Sequence, residues 1–273
     1  MEYTELKCEF KADQSDLAEQ LIAILGELGF ESFIEESDHI LAYIPTTSFR
    51  KNELEPLLAP FAAKYSWKVI PDQNWNAVWE SNFQPVTILN RCYIRAPFHP
   101  ENHDAEFEIV IEPKMSFGTA HHETTALMIE YLIDMDLKGT SVLDMGCGTG
   151  ILAILAALKG SRDITAIDND EWAYENSLEN IQRNNTSRIN VYLGDASLLT
   201  DQKFDVIIAN INRNILLNDM PHYVKCLKDK GILLLSGFYE SDLQAITESC
   251  TSLALKYHSH KVRNSWTAAC YTK

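Results

Sequence analysis

VLDMGCGTGILAILAAL, Val142 to Leu158, decides the fold. An apolar run ends in a carboxylate, glycines follow at alternate positions, and an unbroken stretch of apolar helix formers begins at once. A buried strand, a tight turn and a helix in that order are the unit of an open α/β sheet, whose ligand sits at the carboxyl ends of the strands. The turn Asp144-Met145-Gly146-Cys147-Gly148-Thr149-Gly150 would lie there, and glycines suit it because a side chain would collide with the ligand. A dinucleotide fingerprint would read G-x-G-x-x-G and a phosphate loop G-x-x-x-x-G-K-[ST]. Here the spacing is G-x-G-x-G, an acid precedes it, and no lysine follows. Asp144 therefore suits a ligand that carries a cationic ammonium better than one that carries phosphate.

Outward from this stretch, residues 117–273 alternate between strand and helix patterns. Strands are expected at 141–145, 163–168, 189–193, 204–210 and 231–236, with helices at 150–159, 170–184, 214–228 and 239–250. ALKYHSHKVR and TAACYTK then follow one another without a helix, as an antiparallel hairpin at the sheet edge would. The whole resembles the seven-stranded, Rossmann-like α/β fold of S-adenosylmethionine-dependent methyltransferases. On this sheet Asp168, at the tip of the second strand, is placed to accept both ribose hydroxyls, although an acid here can also cap the next helix. Asp195, after the third strand, is placed for an adenine amino group. Asn210 ends FDVIIAN and brings an amide to the sheet edge beside the methyl donor. The sequence Asn210-Ile211-Asn212-Arg213 lacks the [DN]-P-P-[FY] pattern of base-directed enzymes, so a flipped base would lose its stacking partner.

Upstream, residues 3–70 read β-α-β-β-α-β: a strand at 3–10, a helix at 14–29, strands at 31–36 and 39–44, a helix at 50–64 and a strand at 66–70. That order is the ferredoxin-like α+β pattern and sets a first domain at 1–70. Residues 71–90 are read as a linker with a short helix that carries Trp75 and Trp79, and residues 91–273 as the second domain, entered through strands at 86–95 and 107–111. The chain has 273 residues and a formal net charge of −16, of which residues 1–70 carry 13 acids against 6 bases. An acidic surface repels nucleic-acid phosphates and attracts basic partners. No apolar run approaches the ~20 residues that cross a bilayer, and the start lacks signal-peptide character. A cytoplasmic, monomeric protein with no membrane or direct nucleic-acid contact is expected. The six cysteines are scattered without a C-x-x-C pair and are read as free thiols. His121 and His122 are adjacent and point apart on most backbones, so no metal site is expected.

Phe117-Gly118-Thr119-Ala120-His121-His122-Glu123-Thr124-Thr125 is similar to the F-G-T-G-x-H-x-T-T signature of the ribosomal protein L-eleven (L11) methyltransferases. Together with the glycine loop, Asn210-Ile211 and Trp266, the resemblance covers residues 110–270. It implies transfer of methyl groups from S-adenosyl-L-methionine to lysine side-chain or N-terminal α-amines of L11, held by the N-terminal domain. It also implies donor contacts at Thr125, Gly146, Asp168 and Asn210, to which the loop reading adds Asp144 and Gly148, and the end of the third strand Asp195. Asn210 is the expected catalytic residue, and Phe117, His122 and Trp266 the substrate-side residues. Ala120 departs from the signature's glycine, and a positive φ there would cost on the order of 1 kcal/mol. Simpler readings are that Thr124 and Thr125 cap a helix and that Trp266 is core. Rival functions are a methyltransferase of another protein or small-molecule amine, an NAD enzyme, and a non-catalytic scaffold that binds a basic partner.

Overall fold

Alternation in YTELKCE puts Leu6 and Cys8 on one face of a strand, β1 (Tyr3–Glu9), where both are fully buried. In this computed structural model, which describes residues 2–10, 15–61, 64–70, 83–114 and 116–273, the chain divides into two compact units, Met1–Phe83 and Gln84–Lys273. The first continues with α1 (Ser15–Glu27), β2 (Ser32–Glu35), β3 (His39–Pro45), α2 (Lys51–Leu58) and β4 (Lys64–Ile70). Its sheet runs β2-β3-β1-β4, and every neighbouring pair is antiparallel. Leu21 and Leu25 of α1 and Leu54 and Leu58 of α2 close over Leu6, Cys8, Ile40, Ala42 and Ile44. The second helix is shorter than 50–64: it stops at Leu58, and a turn of 3-10 helix takes Ala59–Phe61.

The residue pair Trp75 and Trp79, and the helix expected to carry them, lie outside the described residues. The described end of the 71–90 stretch includes a strand of the second unit, β5 (Val86–Ile88). It pairs antiparallel with β6 (Cys92–Arg95), which pairs parallel with β7 (Phe107–Val110). The sequence reading of one strand over 86–95 is thus corrected to a hairpin. Leu89 and Asn90 turn the chain at φ +51° and +53°, and the Arg91 amide closes the turn on the Ile88 carbonyl at 3.0 Å.

Next come α3 (Glu123–Asp134), β8 (Ser141–Met145), α4 (Ile151–Leu158), β9 (Asp163–Asp168), α5 (Glu171–Arg183), β10 (Ile189–Leu193), β11 (Phe204–Asn210), α6 (Arg213–Cys226), β12 (Leu227–Tyr239), α7 (Leu243–Ser252), β13 (Lys256–Arg263) and β14 (Trp266–Thr272). The seven strands lie in the order β10-β9-β8-β11-β12-β14-β13, parallel through β12 and antiparallel for the terminal hairpin. All five residues of β8 are buried, and apolar clusters cover both faces of the sheet. The chain leaves β8 toward β9 on one side and returns to β11 on the other. That reversal opens a crevice at the carboxyl ends of β8, β9 and β11. All six cysteines are buried and unpaired, and no helix among the described residues is long and apolar enough to cross a membrane.

Candidate active site

The glycine loop is bare chiefly because the protein itself presses on it. Gly146 and Gly148 adopt φ of +69° and +54°. A Cβ at Gly146 would stand 2.1 Å from Cγ2 of Ile211, and one at Gly148 2.3 Å from the carbonyl oxygen of Phe117. The collision expected with a ligand is thus first a collision with the chain. The Gly146 and Cys147 amides both donate to the Ile167 carbonyl, at 2.8 and 3.1 Å. The Thr149 amide donates to the Phe117 carbonyl (2.9 Å) and its hydroxyl to that of Gly118 (2.6 Å), which straps the 117–125 segment onto the loop. Asn180 of α5 donates to the Thr149 carbonyl from behind at 3.0 Å.

The three acids singled out in the sequence take three different positions. Asp168 accepts from the Gly148 amide with Oδ2 (2.8 Å) and from the Asp170 amide with Oδ1 (3.0 Å), and it faces the crevice. The cap of α5 is Asp170, which accepts from the Ala173 amide. Asp144 lies beneath the loop, fully buried, and accepts from the Ala153 amide in α4 at 3.0 Å. Its Oδ1 has no hydrogen-bond partner among the described residues. Burial pushes this carboxyl up to about 7; the Ala153 amide opposes the rise and the nearby Asp168 charge adds to it. Asp195 is exposed and caps the 3-10 turn Ala196–Leu198 through the Ser197 amide, whose hydrogen bonds hold its carboxyl below the usual range. Neither Asp144 nor Asp195 lines the crevice.

Asn210 stands at the tip of β11. Its amide nitrogen donates to Oγ1 of Thr125 at 3.3 Å, and its carbonyl oxygen is buried with no partner among the described residues. Thr125 is buried behind it and does not reach the crevice, whereas Thr124 does. The residue that caps α3 is His122, neither threonine: its Nδ1 accepts from the Thr124 amide at 3.3 Å. His121 turns elsewhere, with Nε2 2.9 Å from the Gln84 carbonyl. Among the described residues no group of three or more potential metal ligands comes together. Ala120 adopts the positive φ that the signature's glycine position suggested, +66°, with its methyl buried.

A cavity of about 650 Å³ gathers Phe117, His122, Gly146, Gly148, Asp168, Asn210 and Trp266. Phe117, His122 and Trp266 form a ring series, with centroids 5.1 and 4.8 Å apart, and Tyr239 extends it at 4.2 Å from Trp266. Sequence reasoning missed Trp172, Gly237 and Tyr239. Trp172, 73% exposed on the first turn of α5, lines the cavity four residues after Asp168. Nothing in its helical spacing marks it as more than surface. Gly237 could have been found, because a glycine inside the apolar run LLLSGF signals close backbone approach.

The family model described as "Ribosomal protein L11 methyltransferase (PrmA)" matches residues 6–273. A protein of that name from Phocaeicola vulgatus is 46% identical over 275 residues, 98% of each chain. Another from Porphyromonas gingivalis is 49% identical over 259 residues, 92% of this chain and 89% of that one. Among solved structures, the ribosomal protein L11 methylase of Lactobacillus delbrueckii subsp. bulgaricus shares the fold with a TM-score of 0.65 at 24% identity, over 70% of this chain and 99% of that chain. With its full-length match and the signature segment strapped to the glycine loop, the chain belongs to the ribosomal protein L11 methyltransferase (PrmA) family.

Proposed function

We propose that this protein transfers methyl groups from S-adenosyl-L-methionine to lysine side-chain and N-terminal α-amines of ribosomal protein L11. The observation that carries the reading is the Asn210 carbonyl oxygen, a buried acceptor with no partner among the described residues at the edge of the donor-sized cavity. Leaving such a group unmet costs on the order of 1–3 kcal/mol, and an N–H of the incoming amine recovers it. The cavity volume, about 650 Å³, suits a small-molecule ligand. S-adenosyl-L-methionine supplies, when bound, a methyl group already activated on a sulfonium.

The chain's own residues then have four tasks. Asp168 spends one lone pair of each carboxylate oxygen on backbone amides, which leaves lone pairs for ribose hydroxyls. Gly146 and Gly148 hold the loop close to the donor. Thr125 fixes the Asn210 amide, so that its carbonyl aims the amine's lone pair; such orientation supplies much of the rate. Phe117, His122 and Trp266 exclude water. A lysine amine has a reference pKa of about 10.4 and an α-amine about 7.7–8.0, and a desolvated pocket favours the neutral, nucleophilic form.

Recognition of the protein substrate is assigned to the first unit, read as a ferredoxin-like domain over residues 1–70. Its β-α-β-β-α-β order and its sheet order support that reading. So does its 13-to-6 excess of acids over bases, which attracts a basic ribosomal protein and disfavours direct contact with nucleic acid. The chain acts as a monomer in the cytoplasm, with catalysis in the unit that begins at Gln84. Incubation of purified protein with labelled donor and purified L11, followed by peptide mapping, should place the label on lysines or the N-terminus. Donor binding by calorimetry without label transfer would overturn the substrate, and binding of NAD in place of S-adenosyl-L-methionine would overturn the donor.

A further inference from the structure

The cavity does not end at Trp266. A second groove of about 540 Å³ continues it, and the two share Asn212, Gly237 and Trp266. We propose that this groove seats the stretch of substrate polypeptide next to the reacting amine, with Tyr239 as its main contact; the inference rests on the protein-amine reading above.

Strand order fixes which side of the reaction the groove serves. Along the carboxyl edge of the sheet the residues stand as Asp168 on β9, Gly146 after β8, Asn210 on β11, Gly237 on β12 and Trp266 on β14. Register confirms the last step, since Tyr239 pairs with Trp266. With the ribose at Asp168 and the amide at Asn210, the groove lies beyond the amide, away from the nucleoside. It is the acceptor's side.

Its construction suits an extended basic chain. Tyr239 is 49% exposed, and its ring lies 4.2 Å from that of Trp266 at an interplanar angle of 31°, a broad aromatic wall. Asp242 fixes that wall: one oxygen accepts from the Tyr239 amide at 3.2 Å, and the other pairs with Arg213 at 3.4 Å. The groove's single ion pair is therefore satisfied within the chain, which leaves the aromatic faces as the recognition surface. Such faces take the aliphatic stem of a lysine and attract its ammonium. At the junction Gly237 sits at φ +96°, where a Cβ would stand 2.2 Å from the Ile211 carbonyl oxygen, so the passage between the spaces is floored by bare backbone. A free small-molecule amine would fill only the donor cavity. A polypeptide has residues on either side of its amine, and a chain with net charge −16 favours a basic one.

The test compares full-length wild type, Y239A and Y239F in steady-state methylation of L11, with donor affinity measured separately by calorimetry. Y239A should raise KM for L11 about five- to tenfold, as loss of an aromatic anchor does, while kcat and donor Kd stay within about twofold. Y239F, which keeps the ring, should match wild type. A Y239A KM within about twofold of wild type overturns the proposal. So does a donor Kd that weakens in parallel, which would make Tyr239 a donor-site or folding residue. If the wild type binds donor yet leaves L11 unlabelled, the substrate reading falls and the groove's occupant falls with it; the wild-type control separates that failure from the first two.

Discussion

At the scale of single residues, Asn210 and Asp144 are both buried with one oxygen unmet, and they lead to opposite expectations. Asn210 lines the cavity, so Asn210→Ala should lower kcat about a hundredfold or more, as misorientation of a reacting group does. The fold loses only the bond to Thr125, worth ~1 kcal/mol. Parallel turnover and denaturation measurements check this; a kcat within tenfold of wild type would remove Asn210 from the chemistry. Asp144 does not line that cavity, and its carboxyl is raised to about 7 from an unfolded value near 3.8. A raised acid binds its proton more tightly when folded, so the contribution of Asp144 to stability is fully present below about pH 4 and is lost as pH rises through 7. Asp144→Asn keeps an acceptor for the Ala153 amide and cannot ionise. Between pH 5 and pH 8 its stability should gain about 2–3 kcal/mol on wild type by urea denaturation. A difference that is flat across that range would show that Asp144 is not the titrating group. Asp168 and Asn210 were legible because each closes an apolar run, and the end of a buried parallel strand is the ligand edge. The positions of Asp144 and Asp195 were not, since pattern gives a residue's place on an element and not the direction its side chain takes.

At the scale of the element, the glycine loop separates two kinds of intolerance. A methyl at Gly146 meets the Ile211 side chain, whereas one at Gly148 meets the Phe117 backbone. Gly146→Ala and Gly148→Ala should each destabilise by roughly 2–3 kcal/mol, from the positive φ and the clash together. Adding Ile211→Ala should recover part of the Gly146 loss, because the offending Cγ2 is removed. Adding Phe117→Ala should recover none of the Gly148 loss, because the carbonyl stays. Double-mutant cycles by denaturation read the difference; equal rescue in both pairs would refute the packing account. The strands at 141–145 and 204–210 were legible because parallel strands covered on both faces are apolar nearly throughout, and 163–168 and 189–193 also match theirs, although 189–193 is a largely exposed edge strand. Elements were illegible where polar residues or turns interrupt. The strand expected at 231–236 runs from Leu227 to Tyr239, its polar Lys228–Gly231 stretch absorbed in a register shift against β11. The β5–β6 hairpin hid because Leu89 carries no turn signal at its positive φ.

At the scale of the whole molecule, each unit holds its own core. Leu6, Leu21, Leu25, Ile40 and Leu54 bury one another in the first, while the second packs both faces of its sheet, Leu132 and Leu152 on one side and Leu235 and Tyr223 on the other. The proposed role of the first unit in recognition can then be tested by cutting the chain between the units. Every residue assigned to the donor, the amide or the aromatic wall falls between Phe117 and Trp266, and the excess of 13 acids over 6 bases falls in residues 1–70. A chain of residues 84–273 should therefore melt cooperatively and bind S-adenosyl-L-methionine within about threefold of the full-length Kd. Its methylation of L11 should fall at least about a hundredfold, because the second binding surface no longer raises the effective concentration of the amine. Raising salt should narrow the gap between the two forms, since the full-length advantage is electrostatic and is screened over a Debye length of about 10 Å at 0.1 M. Calorimetry and initial rates at low and high salt decide the matter. Undiminished L11 methylation by the shortened chain would confine recognition to the catalytic unit and leave the acidic residues of the first unit to solubility alone.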